Sequence, residues 1–280
     1  MINLNGNLQV DDAAISIDNR GYKYGDTLFE TLKVVHGKIL FWEDHYFRLM
    51  ASMRILRMEI PMSFTMEFLE NEILKTIEAK TLSKTSARVR LNVHRSDGGK
   101  YLPDTNNIDF NISVEKLDSD FYELNEKPYS IELYKDFLVA PGLLSTLKTN
   151  NKIVNILGSI FAKENKFDNC LLLNTNKSII EGLNGNLFLI KGNIIKTPPL
   201  EDGCLKGIMR KQIIEIINSM DDFELNETSI SPFELQKADE LFLTNAIIGI
   251  QPITFYRKKD YSSVVAGKIL NKLNMKIRLG

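Results

Sequence analysis

The segment Thr146-Leu-Lys-Thr-Asn-Asn-Lys-Ile-Val-Asn155 sets two amines, Lys148 and Lys152, at the start of an apolar helical pattern that includes Ile153 and Ile156. An amine at the positive end of a helix, against apolar neighbours, is partly desolvated and is a candidate Schiff-base former. Taken alone, the same lysine reads better as a solvated residue at a helix start. Other chemistries find no footing. His36, His45 and His94 are the only histidines, and none stands at metal-ligand spacing from another or from a cysteine. There is no G-x-S-x-G elbow, no P-loop, and no G-x-G-x-x-G after a strand; Gly182-Leu-Asn-Gly185 is too irregular to count. Cys170 and Cys204 are too few for a disulfide framework and are not in C-x-x-C spacing, so they read as buried or idle thiols.

Holding such an amine requires a scaffold, and the periodicity supplies a mixed one. Residues 28–35 and 39–41 around Gly37-Lys38 read as a hairpin. The spacing then switches to i, i+3, i+4, i+7, predicting helices over 43–56 and 63–79. Residues 87–93 alternate strictly, as a half-buried strand does, and 108–114 reads as its neighbour. The charged, apolar-poor stretch 115–129 is the best linker candidate. Beyond it the pattern predicts a strand over 130–139 and a helix over 151–167 with Ile153, Ile156, Leu157, Ile160 and Phe161 on one stripe. A strand over 170–173, a hairpin around Lys191-Gly192-Asn193, a helix over 207–217 and a strand over 238–244 follow. The expectation is an α/β protein: an N-terminal α+β domain over 1–118 and a mixed α/β C-terminal domain over 119–280 that carries the lysine. A cleft between two such domains is the default place for a ligand.

Composition narrows the function classes. The 280 residues carry 35 basic and 36 acidic side chains, 44% apolar and 25% charged residues, an ordinary globular balance. A net charge of −1 gives no electrostatic reason to bind nucleic acid or an acidic membrane surface. Apolar runs such as Ala246-Ile-Ile-Gly-Ile250 fall far short of the ~20 residues a membrane span needs. Asp11 and Asp12 come early, with no basic start and apolar run before them, so a cytoplasmic protein is expected.

The lysine segment, read as Lys152-x-x-Asn155-x-Leu-Gly-x-x-x-Ala162-Lys, resembles the lysine helix of the class IV aminotransferases, the fold-type IV pyridoxal-phosphate enzymes. The resemblance continues along nearly the whole chain. Arg20-Gly-Tyr-Lys-Tyr-Gly-Asp-Thr-Leu-Phe-Glu-Thr31 looks like the N-terminal box, and Asp44-His-x-x-Arg48-Leu like the helix after it. Ile180-Glu181-Gly-x-Asn184-x-Asn186, Leu205-Lys-Gly207-Ile-Met-Arg210 and Ala238-Asp-Glu-Leu-Phe complete the order.

The resemblance implies pyridoxal 5′-phosphate as cofactor and assigns roles residue by residue. Lys152 would hold the cofactor covalently and later move the substrate proton, and Glu181 would hydrogen-bond the pyridine nitrogen. Arg48 would pair with the phosphate, which the backbone N–H groups of Ile208 and Met209 would also hold at a helix start. Asn155, Asn245 and Ala246 match further cofactor-side positions, and Tyr24 and Phe29 match pocket walls. Arg95-Ser-Asp-Gly-Gly-Lys-Tyr is similar to the loop that lends relatives a carboxylate-binding arginine. Lys100 stands at that place, so Arg95, Lys100 and Tyr101 are substrate candidates with the bidentate fork lost. The family pattern also implies a homodimer with the site near the subunit interface, acting on a small amino substrate.

Within the family, Gly207-Ile-Met-Arg210 and Asn245-Ala246 look like aminodeoxychorismate lyase, where aminotransferases commonly carry hydroxyl residues. The expected activity is that lyase reaction of folate synthesis, which gives 4-aminobenzoate and pyruvate. The alternative is a class IV aminotransferase acting on branched-chain or D-amino acids. A non-catalytic binding protein on the same fold is the remote one, opposed by the presence of both Lys152 and Glu181.

Overall fold

The structure, a computed structural model, describes residues 1–10 and 15–279; Asp11 and Asp12 lie outside the described residues. The chain divides into two compact units. The first comprises Met1–Asp120 together with Lys148–Asn151, and the second comprises Phe121–Leu147 and Lys152–Gly280.

The first unit is an antiparallel sheet with helices. Its elements are β1 (Ile2–Leu4), β2 (Asn7–Gln9), α1 (Arg20–Tyr24), β3 (Thr27–Val35), β4 (Lys38–Ile39), α2 (Trp42–Ile55), α3 (Met66–Ala79), β5 (Ser86–Arg95) and β6 (Ile108–Lys116). The strand order is β2-β1-β6-β5-β3-β4. The β3–β4 hairpin turns through His36 (φ 48°) and Gly37 (φ 81°), left-handed at both centres as the right-handed strand twist prefers. The alternation expected for β5 is present. Ala87, Val89, Leu91 and Val93 are fully buried. Leu49, Met50 and Met53 of α2 and Leu69, Ile73 and Ile77 of α3 are buried too, and Thr65 caps α3 by accepting from the Phe68 N–H. Residues 148–151 lie along β3: the Phe29 N–H donates to the Lys148 carbonyl (2.9 Å) and the Asn150 N–H to that of Thr27 (3.1 Å).

The second unit holds β7 (Ser130–Val139), α4 (Ile153–Glu164), β8 (Asn169–Asn174), β9 (Ile179–Gly182), β10 (Asn186–Lys191), β11 (Ile194–Thr197), α5 (Ile208–Asn218), β12 (Glu224–Glu227), α6 (Pro232–Leu235), β13 (Glu240–Asn245), β14 (Gly249–Ile253), β15 (Phe255–Tyr256), β16 (Lys259–Asp260) and α7 (Val264–Leu279). Its mixed sheet runs β12-β11-β10-β9-β8-β7-β15-β16, with β13 pairing both β10 and β14. β8 is buried along its whole length, so alternate residues serve two cores. Leu171 and Leu173 join Leu133, Leu187, Leu241 and Ile253, while Cys170 and Leu172 join Tyr134, Ala162 and Cys204. Both cysteines are buried free thiols, pushed up to about 11 (Cys170) and about 12 (Cys204) by desolvation.

Two expectations about α4 need correction. The helix begins at Ile153 rather than at residue 151, with Lys152 just before it as its N-cap. The apolar stripe is also misplaced. Ile153, Ile156 and Ile160 are 63%, 53% and 48% exposed, while Gly158 and Ala162 are buried. A Cβ at Gly158 would collide with Leu183 and press on the Tyr134 ring at 3.4 Å. Close approach of the helix to the sheet therefore selects its small residues, with Leu157 and Phe161 flanking them.

Candidate active site

In the second unit, Lys152 and Glu181 sit on elements held by a web of side-chain amides. Lys152 caps α4 with its backbone, is half-buried, and its amine has no hydrogen-bond or ion-pair partner among the described residues. The Glu181 carboxylate, on β9, accepts from the Leu205 backbone N–H at 2.9 Å and from Asn186 Nδ2 at 3.3 Å. Asn186 is the cross-strand partner of Glu181 and also donates to the Leu205 carbonyl (2.9 Å). A Cβ on Gly207 would overlap the Asn186 amide oxygen. Only glycine lets the start of α5 come this close to Asn186 on β10, the cross-strand partner of Glu181.

The turn after Glu181 is pinned by three asparagines. Asn155 Nδ2 donates to the Leu183 carbonyl (2.8 Å), Asn169 Nδ2 to Asn184 Oδ1 (2.9 Å), and Asn245 Nδ2 to the Asn184 carbonyl (3.0 Å). Asn245 Oδ1 accepts from the N–H groups of both Ile247 and Ile248 at 3.0 Å. The amides of Asn155 and Asn245, expected on the cofactor, are thus committed to backbone; what they position is the turn 182–185 and the loop 245–248. The Ala246 carbonyl is taken by the Tyr122 hydroxyl (2.7 Å).

The first unit carries the other expected residues. Arg48 Nε donates to Glu30 Oε1 at 2.8 Å, and Arg48 Nη2 donates to Glu30 Oε2, which also accepts from His45 Nδ1 at 2.7 Å. His45 Nε2 is buried without a partner among the described residues. Burial pushes His45 down, further than the Glu30 carboxylate raises it, so the ring is neutral and the Nδ1–H faces Glu30. Phe29 is buried beneath two cations: the Arg90 guanidinium stands 3.9 Å and Lys148 Nζ 4.4 Å from its ring centre. Burial, with Arg88 next, lowers the Arg90 pKa; its hydrogen bonds go to Asn92 Oδ1 and Asn150 Oδ1, and no carboxylate pairs with it among the described residues.

Arg95 is corrected outright as a substrate residue. It is buried, and its guanidinium donates to Asp26 Oδ2 (3.0 Å), Asn106 Oδ1 (2.6 Å) and the carbonyls of Leu56 (2.7 Å) and Arg57 (3.2 Å). Arg20 shares Asp26 Oδ2 (3.0 Å) and donates to the Gly98 and Lys100 carbonyls (2.8 and 2.7 Å). Arginines 20 and 95 therefore build the loop, while the Lys100 side chain and Tyr101 are exposed and Tyr101 packs its ring 5.8 Å from that of Tyr24. Sequence reasoning gave no role to Asn186, Glu30 or Arg90. For Arg90 the signal was available, because strict alternation puts Arg88, Arg90 and Asn92 together opposite the buried face of β5.

Whether pyridoxal phosphate suits this chain can be judged on its own atoms. Gly207 leaves the N-terminus of α5 without a side-chain cap, so its first N–H groups are open to an anion. At the end of β13, beside the 245–248 loop, Thr244 Oγ1 is buried and has no partner among the described residues. A helix start and an orphaned hydroxyl form a donor set suited to phosphate, and a carboxylate such as Glu181, fixed by backbone and amide donors, is of the type that can bond a protonated ring nitrogen. The residues fit the group.

The comparisons agree with the geometry. The model of the family described as amino-transferase class IV matches residues 27–256. A putative branched-chain-amino-acid aminotransferase of Methanocaldococcus jannaschii is 27% identical over 99% of this chain and 95% of its own. Aminodeoxychorismate lyase of Bacillus subtilis is 28% identical over 94% of this chain and 89% of its own. The fold is that of the branched-chain amino acid aminotransferase of Escherichia coli, with a TM-score of 0.86 at 22% identity over 97% of this chain and 92% of that one. The chain belongs to the class IV aminotransferase family, and with it to the enzymes that depend on pyridoxal 5′-phosphate.

Proposed function

We propose that this enzyme is a 4-amino-4-deoxychorismate lyase, releasing 4-aminobenzoate and pyruvate. The observation that carries the reading is the Asn245 clasp. Its amide closes the 245–248 turn and ties it to Asn184, holding in place the Asn245-Ala246 pair whose residue types resemble those of the lyase, without a hydroxyl at its centre. Met209, in the first turn of α5, points the same way, because the phosphate there would meet backbone N–H groups alone.

When bound, pyridoxal phosphate supplies the electron sink for the carbanion. The protein's own residues do the rest. Lys152 Nζ is the attachment point and then the base that takes the proton from the ring carbon bearing the amino group. Glu181, fixed by Leu205 and Asn186, keeps a proton on the pyridine nitrogen. The start of α5 and Thr244 hold the phosphate, whereas Arg48, expected there, is bound to Glu30 in the first unit. Loss of the enolpyruvyl group as pyruvate makes the ring aromatic, so one base suffices.

An aminotransferase reading is favoured by one observation, the Methanocaldococcus relative that spans 99% of the chain. A coupled assay separates the two. With chorismate, an amidating synthase and glutamine, addition of this enzyme is expected to yield equimolar 4-aminobenzoate and pyruvate. Rapid conversion of the cofactor by branched-chain or D-amino acids, without 4-aminobenzoate, would install the aminotransferase instead.

We also propose a homodimer. The exposed stripe Ile153, Ile156 and Ile160 on α4 supports it, since three isoleucines on one helix face gain by being covered. Solution scattering is expected to give the mass of two chains; an active monomer would refute the proposal.

A further inference from the structure

We propose that a groove in the second unit, between the turn joining β8 to β9 and the helix α6, is a second ligand site, for a small amphipathic anion. The groove encloses about 790 Å³, within the roughly 300–1,000 Å³ typical of small-molecule sites. Neither Lys152, Glu181, Ile208, Met209 nor Asn245 lines it, so it is separate from the cofactor residues.

Its lining has two chemistries. Leu133, Leu173 and Tyr256 are buried and form an apolar base, and Phe233 of α6 adds an aromatic side chain that is 81% exposed. An aromatic residue left open beside an apolar base is unspent packing area that a flat ligand can cover. The charge is one-sided. Lys135 and Lys177 both line the groove, and neither has an acidic partner among the described residues. The acids nearby are already matched: Glu234 pairs with Lys196 (2.6 Å), and Glu132 lies 3.8 Å from Arg257. Two uncompensated positive charges over an apolar base recognise a molecule with an acid group on a hydrophobic body.

The cationic side is also built in advance. Lys177 sits in a left-handed conformation (φ 63°) on a turn shaped by the buried Asn174. The Asn174 Oδ1 accepts from the N–H groups of Asn176 (3.0 Å) and Ser178 (2.9 Å), and its Nδ2 donates to the Asp202 carbonyl (3.0 Å). A turn held on three sides loses little freedom when a ligand arrives.

The test uses the holoenzyme after borohydride reduction, so that the cofactor stays in place, and titrates it with the anionic probe 8-anilinonaphthalene-1-sulfonate by fluorescence. Saturable binding is expected, weakened at least about tenfold in the double variant Lys135→Glu/Lys177→Glu and several-fold in Phe233→Ala. All three side chains are exposed, so these variants should fold, which circular dichroism checks. The neutral probe N-phenyl-1-naphthylamine should respond to Phe233→Ala and ignore the charge reversal. Equal affinity of the anionic probe for the parent protein and the double variant would overturn the proposal, as would the absence of saturable binding to the parent. Neither result depends on which reaction the enzyme catalyses, because the same comparison can be made on protein as isolated.

Discussion

Lys152→Ala is expected to lower turnover by at least about 10³-fold, the scale set by losing both a covalent attachment point and a positioned base. The same variant should lose the visible absorbance of lysine-bound cofactor and should no longer retain the label after borohydride reduction. The fold should survive. Lys152 contributes its backbone to the start of α4 and makes no side-chain capping bond, so the change costs no more than about 0.5 kcal/mol, as for an ordinary surface substitution. Lys148→Ala provides the contrast. Its amine stands over the Phe29 ring in the first unit, so its loss should leave covalent retention of the cofactor intact. Retention of the label in Lys152→Ala and its disappearance in Lys148→Ala would reverse the assignment.

The two lysines also show where reading the sequence succeeds and where it stops. The apolar pattern after residue 152 located α4 because helical periodicity is local. What periodicity cannot report is which of several apolar faces meets the sheet. In α4 the close approach at Gly158 decided it, turning Ile153, Ile156 and Ile160 outward. The Arg95 error has a related cause. A charged residue beside a glycine pair reads as a loop tip, yet Asp26, Asn106 and two carbonyls from distant segments converge on it. Convergence of that kind is long-range, and composition within a window of ten residues carries no trace of it. The three asparagines around the 182–185 turn were missed as positioning residues for the same reason, although Asn155 and Asn245 stand inside or beside a recognised box.

The first unit has its own pivot at Glu30, and replacing it is expected to be the most destabilising change considered. Its carboxylate is wholly buried between Arg48 and His45, so Glu30→Gln leaves the buried Arg48 guanidinium without its counter-charge, a loss of about 3–5 kcal/mol. Burial alone would raise the Glu30 pKa; the Arg48 charge and the hydrogen bonds from His45 and Arg48 outweigh it and hold the group at about 2, against an ordinary 4.5. The sign of the pH dependence follows. An unfolded chain takes up this proton as the pH falls through 4.5, whereas the folded one resists until about 2. The stabilisation, on the order of 3 kcal/mol, is complete above 4.5 and disappears between 4.5 and 2. His45 acts earlier in the same direction. Burial lowers its pKa in the fold, so the unfolded chain gains a proton preferentially once the pH drops below 6.5. Trp42, the single tryptophan, is buried at the start of α2, three residues before His45, and reports on this unit alone. Urea unfolding followed by its fluorescence should show a midpoint that falls in two stages as the pH is lowered from 7 to 3. In Glu30→Gln the midpoint should be lower at pH 7 and the stage below 4.5 should flatten. A variant that keeps the parent's midpoint and its full acid limb would show that the Arg48–Glu30–His45 cluster does not hold this unit together.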